Sequence, residues 1–150
     1  DAIDLSLLIT DNLSLDTTNI VMRMYAKAEM LAYQRKYIEA LSLYDSLINK
    51  YQFHSLVDEA LFEKYKIYYK LEDYDNCVFA LNKILDYSLN DVLADDATYF
   101  LAKIYDEKIN DINLALLNYN IIIEKFQGSI YYDFSRKKIR SIQIKQNDNL

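Results

Sequence analysis

Several residue types and segments are scarce in this chain, and each scarcity excludes a class of protein. Its 150 residues include no proline and one glycine, Gly128, so the chain offers neither a flexible linker nor a glycine-rich phosphate-binding loop. The single cysteine, Cys77, excludes an intrachain disulfide and leaves the redox compartment open. No apolar run approaches the roughly 20 residues that a membrane-spanning helix needs. We therefore expect no direct insertion of this chain into a membrane.

Basic residues are also in the minority. The chain has 17 Lys and Arg against 23 Asp and Glu, which gives a net charge of −6. Binding to phosphates requires a basic surface, so we expect no nucleic-acid partner. Because the chain begins at Asp1 without a methionine, we expect it to be a piece of a longer protein.

An apolar pattern with helical spacing occurs three times. Its positions i, i+1, i+4, i+7 and i+8 form one face of an α-helix, and the copies begin at residues 40, 77 and 115, which are 37 and 38 residues apart. A period of this length is typical of stacked helical repeats. The copies are Ala40, Leu41, Tyr44, Leu47, Ile48; Cys77, Val78, Leu81, Ile84, Leu85; and Ala115, Leu116, Tyr119, Ile122, Ile123.

Each copy follows another helical stretch, so the repeating unit is a pair of helices. We predict a single domain with pairs at 18–51, 56–87 and 92–126, preceded by a partial-repeat helix at 1–13 and followed by a capping helix at 129–146. The first helices are predicted at 18–35, 56–71 and 92–108, and the second helices at 38–51, 74–87 and 112–126. A basic outer face on the last helix suits a terminal cap, which needs one solvated side.

Helix starts and hinges support this partition. The segment 55–58, with Ser first and Asp last, has the form of a capping box. Asp73 and Asp111 stand where second helices begin, and an acidic residue there suits the positive end of the helix dipole. Short hinges make the helices of a pair antiparallel, and the hinge before Asp111 is one residue longer than the hinge before Asp73.

These helix pairs resemble the tetratricopeptide repeat (TPR) family over residues 18 to 127. The matching small, large and aromatic positions are Ala28, Leu31, Tyr37, Ala40, Tyr44; Tyr65, Tyr68, Tyr74, Cys77, Leu81; and Ala102, Tyr105, Ile112, Ala115, Tyr119. The chain departs from the family at Tyr65, which replaces a small residue, and in lacking the proline that commonly closes a repeat. The resemblance implies an all-α fold, a right-handed α-solenoid. The joints at 51–55 and 126–129 resemble long-joint TPR proteins of the bacterial cell envelope, which implies a periplasmic or outer-membrane-associated location.

The TPR resemblance also implies a concave groove lined by the first helices. A groove with aromatic rings beside lysines suits a peptide. The alternative is that these rings shield the joints between neighbouring first helices. Basic residues needed to grip an acidic chaperone tail are missing, because Met22, Glu59 and Asp96 stand at such positions. The predicted groove residues are Tyr25, Glu29, Tyr33, Phe62, Lys66, Tyr69, Lys70, Tyr99 and Lys103.

Residues that could carry chemistry have simpler interpretations. Cys77 could be a nucleophile, but it occupies the position of Ala40 and Ala115, where a small side chain lets helices approach. No catalytic partner is placed beside His54 by the sequence. The carboxylates at 95–96 and at 106, 107 and 111 could hold a cation, but they lack the spacing of a calcium loop. We therefore expect no catalytic residue, no metal site and no cofactor.

The sequence thus favours a non-catalytic scaffold that binds a peptide or helix of another protein in the groove. The alternative is a structural role, as a spacer or self-associating segment of a longer TPR array. An enzyme is the third possibility, and it would depend on Cys77 or His54.

Overall fold

A computed structural model describes the backbone of residues 2–87 and 92–147 and the side chains of residues 17–86 and 92–147. This described part is built from helices, turns and short connections and contains no β-strand, which confirms the predicted all-α class. None of its helices is both long and apolar enough to cross a bilayer. The elements are α1 (Ala2–Tyr33), α2 (Tyr37–Lys50), α3 (Leu56–Lys70), α4 (Tyr74–Tyr87), α5 (Ala94–Ile104), a π-helical turn (Tyr105–Ile109), α6 (Ile112–Lys125) and α7 (Tyr132–Asn147).

The chain forms two compact units, Asp1–Ile67 and Tyr68–Leu150. In unit 1, α1 packs on α2, and Lys64 of α3 forms an ion pair with Asp45 of α2. In unit 2, α5 packs on α4 and on α6, and α6 packs on α7. Helices that follow one another in the chain are therefore also neighbours in space within each unit. The single domain expected from the sequence stays a prediction.

The three copies of the apolar pattern are buried as the sequence predicts. Their first, third and fourth positions are completely buried in all three second helices. Burial of a large side chain contributes about 1.5–3 kcal/mol, so these positions of the second helices contribute strongly to the stability of the fold. The nine residues are Ala40, Tyr44, Leu47, Cys77, Leu81, Ile84, Ala115, Tyr119 and Ile122.

The hinges inside the helix pairs repeat at the level of the backbone. Arg35, Glu72 and Asn110 have φ of 61°, 58° and 61°, in the left-handed region, and they recur 37 and 38 residues apart. The one glycine, Gly128, does not lie in that region. Residues with a Cβ rarely adopt this conformation, so its recurrence at three non-glycine residues indicates that the three hinges share one backbone geometry.

The longer third hinge is accommodated by the π-helical turn. In the first two hinges the N–H of Lys36 donates to Leu31 O and the N–H of Asp73 donates to Tyr68 O, each spanning five residues. In the third hinge the N–H of Asp111 donates to Tyr105 O, which spans six. The extra residue therefore lies within the turn, which absorbs it and restores the register of α6.

The predicted acidic helix starts are confirmed. Asp73 Oδ1 accepts a hydrogen bond from the N–H of Asn76 at 3.2 Å. Asp111 Oδ1 accepts one from the N–H of Leu114 at 3.0 Å. Each carboxylate satisfies an N–H that the first helical turn leaves without a partner.

The predicted break between residues 13 and 18 is wrong. The backbone of α1 runs without interruption from Ala2 to Tyr33, so residues 1–13 do not form a separate partial-repeat helix. The stretch from 14 to 19 has no proline or glycine to end a helix.

The joint before α3 and the joint before α7 share one hydrogen-bond pattern. His54 N donates to Tyr51 O at 2.8 Å, and Ser129 N donates to Phe126 O at 2.9 Å. The side chains of the same two residues accept from the N–H two positions later, Leu56 N to His54 Nδ1 at 3.1 Å and Tyr131 N to Ser129 Oγ at 3.2 Å. His54 is thus the structural counterpart of Ser129, 75 residues earlier, and it caps a joint.

Candidate functional site

Three of the predicted groove residues lie on α1 in unit 1. The ring of Tyr25 is half-buried and meets the ring of Tyr44 edge-on, with centroids 5.8 Å apart. Glu29 is exposed, and Tyr33 at the end of the helix is 90% exposed. Tyr33 therefore offers the largest accessible aromatic surface of the three.

Carboxylates surround the phenols of unit 1. Burial raises the pKa of Tyr25 well above its usual value, and the negative charges of Glu63 and Glu29 raise it further. Burial and the negative charge of Glu63 also raise the pKa of Tyr44. The Tyr44 hydroxyl is buried and has no hydrogen-bond partner among the described residues. Both rings therefore stay neutral at physiological pH. Tyr25 is the accessible one, and the negative charges beside it favour a cationic rather than an anionic ligand group.

Phe62 and Lys66 lie one turn apart on α3, also in unit 1. The Phe62 ring packs on Tyr65 with centroids 5.4 Å apart, and Lys66 Nζ lies 5.8 Å from the Phe62 centroid. Lys66 also forms an ion pair with Glu63, on the same helix. The structure thus brings an aromatic ring and an exposed ammonium group together on α3.

Tyr69 and Lys70 fall in unit 2, at the end of α3. Tyr69 is 37% exposed and meets Tyr74 edge-on at 6.0 Å. Lys108 Nζ, from the π-helical turn, lies 5.6 Å from the centroids of both rings, and these two tyrosines raise the pKa of Lys108. Lys70 is exposed. Tyr69 is therefore already engaged by a cation of its own unit, a contact that sequence spacing does not reveal.

Tyr99 is placed differently from the other predicted residues. It is only 9% exposed, because Tyr131 stacks on its ring at 3.9 Å and Phe134 of α7 meets it edge-on at 5.6 Å. The Tyr131 hydroxyl in turn donates a hydrogen bond to Asp96. For Tyr99, the structure fits the interpretation in which an aromatic ring shields a joint between first helices.

Lys103, the last predicted residue, belongs to a charged network in unit 2. Its Nζ lies 3.9 Å from Glu107, which lies 3.8 Å from Lys138 Nζ. Lys138 also donates to Asp106 at 2.7 Å, and this bond raises the pKa of Lys138. The Tyr119 hydroxyl donates to the same carboxylate at 3.2 Å. The network joins the π-helical turn to α6 and α7, so Lys103 contributes to a structural link.

The residues considered for chemistry also have structural roles. Cys77 is completely buried, and burial together with the charge of Asp73 raises the pKa of its thiol to about 12. A thiol of this kind is a poor nucleophile at neutral pH. Among the described residues, no group of three or more His, Cys, Asp or Glu could hold a metal ion.

The sequence analysis missed a groove of about 540 Å³ between α1 and α2 in unit 1. Its walls include Lys27 and Leu43. The residues 37 positions later, Lys64 and Ala80, are buried, and so are Leu101 and Asn118 one copy further on. The groove therefore lies only in part on a face that the later hairpins bury, since Asp75 and Phe79, the counterparts of its lining residues Ile38 and Ser42, are exposed. The repeat alignment was the signal that could have revealed the buried part. The full lining is Lys27, Leu31, Ile38, Glu39, Ser42, Leu43 and Ser46.

Comparison of the chain with protein-family models and with curated proteins gave no match.

Proposed function

We propose that this chain is a TPR-like α-solenoid that acts as a non-catalytic scaffold and binds a peptide or helix of another protein. The observation that supports it is the recurrence of one hinge geometry and one buried stripe 37 and 38 residues apart. Helix hairpins with the same hinge and the same buried positions can stack on one another, and stacked helical repeats present extended surfaces to partners. The cell-envelope location implied by the long joints belongs to the same proposal.

In this proposal the binding surface is the concave groove lined by the first helices. The proposal is supported by Tyr33 and Lys70, which are exposed, and by Phe62 and Lys66, which combine a ring with a cation. Flat rings supply contact area at low cost in conformational entropy, and ammonium groups orient a peptide through its carbonyl or carboxylate oxygens. Tyr99 and Lys103 stabilise unit 2 and contribute to binding indirectly.

A peptide-display selection against the chain, followed by calorimetry with the selected peptide, tests this proposal. Tyr33→Ala should weaken binding by roughly tenfold, since aromatic residues dominate such interfaces. Phe53→Ala is the matched control, because Phe53 is 95% exposed but lies in a joint outside the predicted groove. Equal losses in the two variants would move the site elsewhere.

The second candidate is a structural role in a longer array, and the groove between α1 and α2 favours it. Lys64 and Ala80, the counterparts of Lys27 and Leu43, are buried, so a further helix could cover this part of the groove in an extended array. Solution scattering and mass measurement on a longer version of the protein would distinguish the two functions. An extended particle that selects no peptide would favour the spacer.

A further inference from the structure

The last helix, α7, occupies the position of a first helix, and its counterpart in the preceding pair is α5. The counterparts of Ile139 and Ile142, 38 residues earlier, are Leu101 and Ile104, and all four are buried. The buried positions of α5 and α7 therefore align with a shift of 38 residues.

With this register, Arg136 and Arg140 correspond to Thr98 and Ala102. Thr98 and Ala102 are completely buried, and Ala102 belongs to a core cluster with Ala115 and Tyr119 of α6. Arg136 and Arg140 are exposed. The face of α5 that packs on α6 thus has an equivalent on α7, and no helix in the described part of the chain packs on that face of α7.

This face is basic, in a chain that is acidic as a whole. Helix α7 holds five basic residues and one acidic residue, Asp133, whereas the chain has a net charge of −6. Lys138 pairs with Asp106 on the inner side. No ion pair joins Arg136, Lys137 or Arg140 to a carboxylate within the described residues.

An exposed apolar residue extends the basic row. Arg136, Arg140 and Ile144 follow one another at intervals of four residues, so they form one ridge inclined to the helix axis, and Lys137 lies beside it. Ile144 is 60% exposed. We call Arg136, Lys137, Arg140 and Ile144 the outer row of α7.

We propose that the outer row of α7 binds an acidic amphipathic helix of another protein, which lies along α7 as α6 lies along α5. Carboxylates spaced four residues apart on the partner pair with Arg136 and Arg140, and an apolar residue one turn further contacts Ile144. Guanidinium groups suit this role because they bind carboxylates through two parallel hydrogen bonds. This surface is separate from the proposed groove, and its test does not depend on that groove.

A tryptophan-containing peptide provides the probe, because the chain itself has no tryptophan and all indole fluorescence then comes from the peptide. The peptide is about 20 residues long, which is enough to hold a helix, with Glu and Leu at four-residue spacing. A second peptide has the same composition in scrambled order. We expect the patterned peptide to bind, and to bind more weakly as salt is added.

The double variant Arg136→Glu with Arg140→Glu should weaken binding at least about tenfold, since it replaces two attractions by two repulsions. The control, Lys36→Glu with Lys50→Glu, changes the net charge equally at two exposed residues of unit 1 and should leave binding unchanged. Circular dichroism checks that both variants remain helical.

Four outcomes of the binding experiments would overturn the proposal. They are no binding of the patterned peptide, equal binding of the scrambled peptide, equal loss in the control variant, and preferential binding of the chain to vesicles of anionic lipid. A second copy as the occupant would show as self-association in sedimentation that the patterned peptide does not displace, and this too would overturn it.

Discussion

The Tyr119 hydroxyl donates a hydrogen bond to Asp106 Oδ2 at 3.2 Å, and Lys138 Nζ donates to the same oxygen at 2.7 Å. One carboxylate in the π-helical turn thus holds a residue of α6 and a residue of α7. Because Tyr119 is completely buried, this bond is shielded from water and fixes the turn against both helices.

We predict that Tyr119→Phe lowers the free energy of unfolding by about 1–2 kcal/mol, because it removes a hydrogen bond to a charged acceptor and keeps the ring. Urea unfolding measures the effect. Tyr33→Phe is the control and should have no effect, since Tyr33 is 90% exposed. Equal midpoints for wild type and Tyr119→Phe would contradict the role given to this bond.

Stability should fall steeply at alkaline pH. Burial raises the pKa of six tyrosines in the native state, whereas an unfolded tyrosine ionises near pH 10. Above that pH the unfolded chain loses protons that the folded chain keeps, so the free energy of unfolding decreases as pH rises. The raised pKa of Lys138 acts in the same direction. The six are Tyr25, Tyr44, Tyr99, Tyr105, Tyr119 and Tyr131.

Tyrosinate absorbance and circular dichroism, followed together from neutral to strongly alkaline pH, measure this effect. The buried tyrosines should ionise only as helicity is lost. Complete ionisation near pH 10 with unchanged helicity would show that the burial described above is incorrect.

Glu72→Gly should stabilise the chain by up to about 1 kcal/mol. Glu72 has φ of 58°, and a left-handed residue with a Cβ costs roughly 1–2 kcal/mol that glycine avoids, less the entropy glycine loses on folding. Asn110→Gly should gain less, since Asn tolerates this conformation. Glu39→Gly, inside α2, is the control and should destabilise by about 1 kcal/mol. Thermal unfolding measures the effect, and we expect a higher midpoint temperature for Glu72→Gly than for wild type. A lower midpoint would refute the prediction.

Deletion of Ile109 should be tolerated. The third hinge spans one residue more than the others, and Ile109 lies in the π-helical turn and is 39% exposed. Its removal should convert the turn to the five-residue hinge of Lys36 and Asp73, with helicity retained. Deletion of Leu71 is the comparison, because that hinge has no residue to spare, and it should reduce helicity and stability. If both deletions have the same effect, the extra residue has been assigned to the wrong place.

Cys77 should resist thiol reagents in the folded chain. Its thiol is completely buried, so a reagent cannot reach it, and burial raises its pKa to about 12, so very little of the reactive thiolate is present at neutral pH. We expect alkylation to be at least about a thousandfold slower than in urea, because it requires local unfolding. Rapid modification of the native chain would contradict this and would revive the nucleophile hypothesis.

Much of the fold could be predicted from local pattern. The stripes around Tyr44, Leu81 and Tyr119 are buried as their spacing requires, and Asp73 and Asp111 begin helices as their chemistry suggests. These features depend on residues a few positions apart, so the sequence contains all the necessary information.

What escaped prediction depends on partners distant in sequence. The burial of Tyr99 results from Tyr131, 32 residues later, and the link from Asp106 to Lys138 spans the same interval. The role of His54 became visible only through the matching hydrogen bond of Ser129. Among the predicted groove residues on α1 and α3, Tyr25 and Phe62 are half-buried and the others are exposed.

The π-helical turn has a consequence for how such a chain can change over evolutionary time. A single added residue is contained within one hinge, so the buried faces on either side keep their order. Hairpin length can then drift residue by residue while every contact in the interior is retained. Relatives of this chain should consequently share a sequence of buried side chains rather than a constant period, and a search tuned to one fixed length would overlook them.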